Sequence, residues 1–179
     1  MNSLIFEKGW EILEKEGLAG LNLTRLSCYC NKPELEISAY CSTPLSILMI
    51  LIHTVQEHSS LEEPFPENSH DFLFESIISV LETLNPYRRA MKRLMNDLTL
   101  SPCLVKDIIP FSLKWSRNTL SLAGIKATGM SNTFNTYFLS SFCLYILLIW
   151  NKDNTPDLAV TLAKLDQGLT KLERYFIKN

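Results

Sequence analysis

The stretch LNLTRLSCYCNKPELEISAYCSTP, residues 21–44, decides the fold prediction. Asn22 precedes an apolar residue and can cap free N–H groups, so we expect a short helix over 23–30. A tight turn should separate this helix from a second short one over 33–40. Thr43-Pro44 then starts a longer helix, because threonine can cap it and proline suits its first position.

The same device, a side-chain oxygen acceptor directly before a proline, precedes three further apolar-periodic stretches, at Asn85-Pro86, Ser101-Pro102 and Thr155-Pro156. No stretch alternates apolar and polar residues between turns, as a half-buried strand would. We therefore predict an all-α fold of about nine helices. Their predicted ranges are 3–16, 23–30, 33–40, 44–58, 70–84, 86–99, 102–123 with a break near Pro110 left open, 132–150 and 156–177.

Composition indicates an ordinary globular chain. The 179 residues are 46% hydrophobic and 20% charged, with a formal charge of −2, which disfavours a polycationic nucleic-acid coat. The longest apolar runs, Leu45–Ile52 and Phe142–Trp150, are shorter than the roughly 18 residues of a membrane span. The first residues carry no basic leader before Glu7, so we expect a cytoplasmic protein.

The last two predicted helices favour a homodimer. The stretch TFNTYFLSSFCLYILLIW, residues 133–150, is apolar almost all round, so both of its faces need a cover. The final helix carries a single apolar stripe, of Leu158, Leu162, Leu165, Leu169, Leu172 and Phe176. A pair of this kind forms either a core seam or a dimer interface, and a central core helix in a monomer is the alternative.

Residues 5–48 resemble the N-terminal helix-turn-helix domain of TetR-type regulators. The resemblance lies in Glu16-Gly17-Leu18 after the first helix, in the start of the second at Leu21–Leu26, and in Tyr40 at an aromatic family position. Cys41 and Pro44 depart from the family's phenylalanine and lysine. The resemblance implies a three-helix domain over 1–43 followed by a helical ligand-binding and dimerisation domain over 44–179.

The candidate recognition helix is unsuited to DNA. It carries Glu34 and Glu36 and no cation, although phosphate neutralisation is the main sequence-independent source of DNA affinity. Residues 1–60 hold four basic and seven acidic side chains, a balance of −3. We therefore expect the fold without DNA binding. A TetR-type regulator that binds an operator and a small apolar ligand is the alternative.

The later residues resemble the coenzyme Q accessory proteins often called Coq-nine and their bacterial relatives. The most specific element is Asp153-Asn154-Thr155-Pro156-Asp157, followed by Thr161 and Leu165-Asp166. The resemblance implies an isoprenoid- or quinone-binding accessory factor that supports a hydroxylase of ubiquinone biosynthesis. Eukaryotic members have a further amphipathic C-terminal helix, so here we expect any membrane contact to be peripheral, at the inner face.

An apolar ligand needs an apolar lining, although core packing uses the same residue types. The candidate lining residues are Leu73, Ile77, Leu81, Leu84, Met91, Leu94, Met95, Leu113, Phe138, Phe142 and Tyr145. The candidate partner contacts are two aromatic residues, Trp115 and Phe134. The basic patch of Arg88, Arg89, Lys92 and Arg93 could meet anionic groups or form a solvated helix face.

No catalytic, metal or cofactor motif is present, so we do not expect an enzyme or a bound cofactor. The five cysteines include no C-x-x-C, and we expect them to be buried, reduced thiols. His53 and Glu57 are four residues apart, too few ligands for a structural zinc site. Asp157 is expected in the first turn of the last helix. A non-catalytic protein–protein adaptor is a further alternative.

Overall fold

The computed structural model describes residues 2–61, 65–125 and 130–176, and only the backbone of residues 2, 156, 173, 175 and 176. Nine α-helices and no strand are found in these ranges, which confirms the all-α prediction. The helices are α1 (Asn2–Glu16), α2 (Leu23–Cys30), α3 (Glu34–Ser38), α4 (Pro44–His58), α5 (Ser69–Leu84), α6 (Arg88–Thr99), α7 (Pro102–Leu122), α8 (Met130–Lys152) and α9 (Ala159–Phe176).

Two predicted helix starts are confirmed by their capping bonds. At α2 the side chain of Asn22 accepts a hydrogen bond from the backbone N–H of Arg25 at 3.0 Å. At α4 the hydroxyl of Thr43 accepts from the N–H of Ser46 at 3.1 Å, while the N–H of Thr43 donates to the hydroxyl of Ser46 at 2.9 Å. This reciprocal pair satisfies backbone groups that a helix start leaves free.

Two other proline starts are displaced by one 3₁₀ turn. Asn85–Tyr87 forms such a turn, and α6 begins only at Arg88. Pro156–Leu158 forms another, in which Asp157 has a φ of 56°. Because this left-handed backbone interrupts an α-helix, α9 begins at Ala159 rather than at residue 156. Residue 177, the predicted end of α9, lies outside the described residues.

By compactness the chain divides into two units, residues 1–59 with 82–108 and residues 60–81 with 109–179. The three dividing lines fall just after α4, within α5 and within α7, which is continuous through Pro110. The predicted boundary at residue 43 therefore does not coincide with the compact units. That boundary separates two predicted functional regions rather than two compact units, and it stays a prediction.

In the first unit α1 is the central helix and packs against α2, α4 and α6. Its aromatic residues meet the residue that precedes α6. The ring of Trp10 stacks on Tyr87 with centroids 5.3 Å apart, and Phe6 meets Tyr87 edge-on at 5.3 Å. Trp10 and Phe6 are buried, so this cluster forms part of the core that holds α1 to the start of α6.

In the second unit α8 packs against α9. The leucines of the predicted apolar stripe that are fully buried on α9 are Leu165, Leu169 and Leu172. Close approach depends on Gly168, since a Cβ there would collide with the ring of Phe142 on α8. Phe142 therefore fills the space that a missing side chain leaves on α9.

Candidate functional site

The predicted recognition helix, α3, presents carboxylates and apolar groups to solvent. Glu34 is exposed, and the side chain of Leu35 is 85% exposed. Ile37 is fully buried and anchors the helix. The remaining carboxylate, on Glu36, lies 3.0 Å from the ammonium of Lys32. The exposed surface of α3 thus offers a phosphate backbone no cation of its own.

Each of the four basic side chains in residues 1–60 is already paired with a carboxylate. Besides Lys32, the guanidinium of Arg25 lies 3.1 Å from Glu16. Glu11 receives two ammonium groups, from Lys8 and Lys15, each at 2.7 Å. Hydrogen bonds from Lys15 and then Lys8 lower the pKa of Glu11 to about 2, so this carboxylate stays charged at neutral pH. These cations are therefore neutralised within the protein.

Two residues of the predicted basic patch contact the C-terminal end of α1. Arg93 donates to the backbone carbonyls of Lys15 at 2.7 Å and Glu14 at 3.2 Å. The guanidinium of Arg89 lies 3.7 Å from the carboxylate of Glu14. A cation at a helix C-terminus satisfies free carbonyls and opposes the negative end of the helix dipole. Of the four predicted residues, Arg93 thus has a clear structural role, while Lys92 is exposed.

Asp97 completes this contact on the next turn of α6. Its carboxylate accepts a hydrogen bond from the backbone N–H of Leu18 at 2.7 Å. Gly17, between these groups, has a φ of 74°, and a Cβ there would lie 2.5 Å from Asp97 Oδ2 and 2.7 Å from Arg93 Nε. The glycine is therefore required both by its backbone and by the close approach of α6.

The predicted lipid-lining residues belong to both compact units. In the first unit Leu84 and Leu94 are buried, and Met91 and Met95 are half-buried. In the second unit Leu73, Ile77 and Leu81 are buried, Leu113 and Phe142 are half-buried, and Phe138 and Tyr145 are exposed. The buried members pack as core residues do, and their contact with a lipid stays a prediction.

One face of α8 is apolar and uncovered. This α8 outer face consists of seven large side chains, Met130, Phe134, Tyr137, Phe138, Leu144, Tyr145 and Leu148. Phe134 is 69% exposed, and Phe138 and Tyr145 are 53% and 49% exposed. The opposite face, with Leu139, Ile146 and Trp150, is buried. Phe134 is thus accessible, whereas Trp115 on α7 is half-buried, and contact of either residue with a partner stays a prediction.

Contrary to the expectation from the short apolar runs, the same helix meets the length and apolar composition needed to cross a membrane. It is the one described helix that does so, and core helices of soluble proteins pass the same test. No acidic or basic residue occurs between Met130 and Asn151. The α8 outer face is therefore uncharged along its whole length.

Sequence reasoning missed the role of Asp153. Its carboxylate is buried and accepts hydrogen bonds from the hydroxyl and N–H of Thr155 at 2.5 and 2.9 Å. It also accepts from the hydroxyl and N–H of Thr161, at 2.7 and 2.8 Å. These bonds, first those of the Thr155 and Thr161 hydroxyls, hold the pKa of Asp153 well below its usual range. Asp153, rather than the exposed Asp157, stabilises the start of α9.

A second missed feature is a polar stripe between α7 and α8. The hydroxyls of Ser112 and Ser140 are 2.9 Å apart. Ser116 and Asn135 are buried, and the Ser116 hydroxyl and the Asn135 amide nitrogen have no hydrogen-bond partner among the described residues. In the sequence both were polar residues on otherwise apolar helices, with nothing to show that either would be buried.

The cysteines correct one expectation. All five are free thiols, but Cys28 and Cys103 are exposed rather than buried. Cys30 and Cys41 are buried, and burial raises the pKa of Cys143 to about 12. His53 lies 3.3 Å from Glu57 on an exposed face of α4. Within the described part of the chain, no group of three or more His, Cys, Asp or Glu side chains could hold a metal ion.

Comparison with models of known protein families finds no match, and comparison with curated proteins finds no matching relative.

Proposed function

We propose that the chain is a non-enzymatic, lipid-binding accessory protein of ubiquinone biosynthesis, which supports a hydroxylase of that pathway. The pathway comes from the resemblance carried by Asp153–Asp157 and Thr161–Asp166. The single structural observation that supports the proposal is the uncharged, exposed α8 outer face, an apolar contact surface, whereas the lipid ligand itself comes from the resemblance. Exposed apolar surfaces of this kind are typical of protein and lipid contacts.

The alternative, an operator-binding regulator, is disfavoured by the charges of the first unit. Glu34 is exposed on α3, and the cations of residues 1–60 are paired with carboxylates. DNA binding would require breaking those pairs before any counterion release could be gained. The proposed protein therefore acts without nucleic acid.

A second copy of the chain is the proposed cover for the α8 outer face. Its seven side chains expose roughly 700 Å², given ~150–250 Å² for a whole aromatic side chain. A stable interface buries roughly 800 Å² on each partner, so the exposed area is of the size that a homodimer needs. The absence of charge over residues 130–151 allows two such helices to meet without repulsion. The protein is then a cytoplasmic homodimer whose membrane contact is peripheral, at the inner face.

Light scattering after size-exclusion chromatography tests the dimer. The wild-type protein should elute with twice its chain mass of 20.5 kDa. The double variant Phe134→Glu/Leu148→Glu should be a folded monomer, because it places charges on the α8 outer face. Leu100→Glu is the matched control, since Leu100 is 84% exposed in the first unit and should leave the dimer intact. A monomeric wild type would contradict the dimer.

Extraction and mass spectrometry of the purified protein test the lipid function. A co-purifying prenylated quinone or precursor is expected. Duplex DNA should bind weakly at all salt concentrations. Tight binding with a steep salt dependence would instead favour the regulator. A protein that binds neither lipid nor DNA would contradict the proposal and favour the adaptor.

A further inference from the structure

A strip of exposed residues runs along one side of α8 with the spacing of a helix–helix interface. Its six positions are separated by four, three, four, three and four residues, and they are Met130, Phe134, Tyr137, Ser141, Leu144 and Leu148. Alternating steps of three and four are those of the a and d positions of a heptad, through which two helices pack side by side. We call these six residues the α8 seam. It adds the small side chain of Ser141 to apolar residues of the α8 outer face.

The apolar stripe of the neighbouring helix is used within the chain. Leu165, Leu169 and Leu172 of α9 are buried. The helix α9 also approaches α8 so closely that a Cβ at Gly168 would collide with the ring of Phe142. The α9 stripe therefore belongs to the core of the second unit, whereas the α8 seam is exposed.

The spacing of the α8 seam is the same in both directions along the helix. Reversal about residue 139, midway between Met130 and Leu148, therefore places every seam position on another seam position. Two antiparallel copies of α8 related by a two-fold axis at residue 139 bring the same patch of both chains together. The opposite pairs are then Met130 with Leu148, Phe134 with Leu144, and Tyr137 with Ser141. A shift of this register by one heptad would leave two seam residues of each helix without an opposite seam residue.

Side-chain size favours this antiparallel arrangement over a parallel one. Parallel copies would place each residue opposite itself, so two tyrosines would meet at position 137 and two serines at position 141. The first layer would be overfilled, and the second would leave a gap. In the antiparallel arrangement each tyrosine faces a serine and each phenylalanine faces a leucine, and large side chains opposite small ones fill an interface evenly. Since no charged residue lies between Met130 and Asn151, side-chain size decides the orientation.

We infer that the α8 seam pairs with the α8 seam of a second copy in antiparallel orientation, centred on residue 139. This inference rests on the proposed homodimer and deepens it by assigning the orientation and register of the two helices. The small side chain of Ser141 receives the ring of Tyr137 of the partner subunit. Phe138 and Tyr145, which are exposed directly beside the seam, border the contact. Ser141 thus fixes the register although it contributes little apolar surface.

Disulfide cross-linking tests the orientation and the register. Cys28→Ser/Cys103→Ser serves as the background, because it removes the exposed thiols. In this background Phe134→Cys and Leu144→Cys are produced separately and by co-expression. A disulfide requires two Cα atoms within about 7 Å of each other.

The antiparallel register places these two positions opposite each other. Two copies of Phe134→Cys instead hold their cysteines ten residues apart along the helix pair, which is about 15 Å. Mild oxidation should therefore cross-link the co-expressed variants, and neither variant alone should form a covalent dimer. Phe134→Cys co-expressed with Ser121→Cys, at an exposed position of α7, is the matched control and should not cross-link.

Opposite charges provide a second readout, by light scattering over a series of protein concentrations. Phe134→Glu/Leu144→Lys places a carboxylate opposite an ammonium group in the antiparallel register, but like charges opposite each other in a parallel pair. Phe134→Glu/Leu144→Glu is the matched control, because it places like charges opposite each other in both. The first variant should associate at least about tenfold more tightly than the second, since like charges that face each other strongly weaken an interface.

Cross-linking of Phe134→Cys with itself, or equal association of the two charge variants, would overturn the antiparallel register while leaving the homodimer intact. A wild-type dimer whose variants form no cross-link in either combination would also overturn it. A monomeric wild type would contradict the homodimer and this inference together. The lipid-binding function is tested separately, by the lipid that co-purifies with the protein.

Discussion

The carboxylate of Asp153 accepts two hydrogen bonds from Thr161, eight residues later, one from its hydroxyl at 2.7 Å and one from its N–H at 2.8 Å. Both residues are buried, and the bonds join the segment after α8 to the first turn of α9. A carboxylate in this position satisfies a free N–H group of the helix and opposes the positive end of its dipole. One acidic side chain thus holds the segment between α8 and α9 in its observed conformation.

Thr161→Val should destabilise the protein. Valine keeps the shape of threonine but removes one donor to Asp153, and a hydrogen bond to a charged group contributes about 1.5–3 kcal/mol. Chemical denaturation should show a fall of that size in the free energy of unfolding. Thr170→Val is the control, because Thr170 is exposed and its hydroxyl donates to the carbonyl of Asp166 in its own helix. Equal losses in both variants would contradict the role given to Asp153.

The same contact predicts an acid-sensitive stability. The pKa of Asp153 is lower in the folded chain than the usual value of about 3.9 in an unfolded one. Its contribution is therefore fully present above that unfolded value and is lost as the pH falls through it towards the folded pKa. Unfolding of wild type and Asp153→Asn between pH 2 and pH 6 should show a shallower acid dependence in the variant. Asp157→Asn, at an exposed position, should follow the wild type.

Gly17→Ala should cost more stability than Gly124→Ala. Both glycines have positive φ angles, 74° and 73°, so each substitution carries a backbone strain of about 1–3 kcal/mol. Only at position 17 would the new Cβ also meet Asp97 and Arg93, whereas no atom of the described residues lies within 4 Å of a Cβ at Gly124. The loss in the free energy of unfolding should therefore be larger for Gly17→Ala than for Gly124→Ala, and the difference reports the contact between Gly17 and α6. Equal losses would show that this approach is looser than described.

Thiol labelling should separate the cysteines into two groups. Cys28 and Cys103 are exposed and should react quickly with a thiol reagent at neutral pH. Cys30 and Cys41 are buried and should react only after unfolding, while Cys143 is half-buried and, because burial raises its pKa to about 12, should react far more slowly than the exposed pair. Peptide mass spectrometry of a timed reaction would identify the labelled residues. Early labelling of Cys143 would contradict the packing of α8.

Local sequence predicts most of the helices because their starts depend on neighbouring residues. Thr43 and Ser46 make a capping box three residues apart, and Asn22 caps α2 in the same local way. The bonds of Asp153 reach across a turn with left-handed residues, a geometry that residue spacing does not show. Asp157 was therefore chosen wrongly as the acidic residue at the start of α9.

The inward face of α8 was harder to predict, since a helix that is apolar all round has no polar side to mark the solvent. Phe138 and Tyr145 were expected to line an interior and are found on the exposed face. The contact between Ser112 and Ser140 and the burial of Ser116 and Asn135 emerge only in the folded structure. Such pairings depend on tertiary structure, which single residues and their spacing do not determine.

The pairing of Glu11 with both Lys8 and Lys15 has an evolutionary consequence. Replacing this single acidic side chain by glutamine would remove one negative charge and release two ammonium groups together. A route from this protein towards a nucleic-acid-binding descendant would therefore begin with the loss of an acid rather than the acquisition of a base. Glu11 is therefore the side chain that neutralises Lys8 and Lys15 in the first unit, and its loss would make both positive charges available at once.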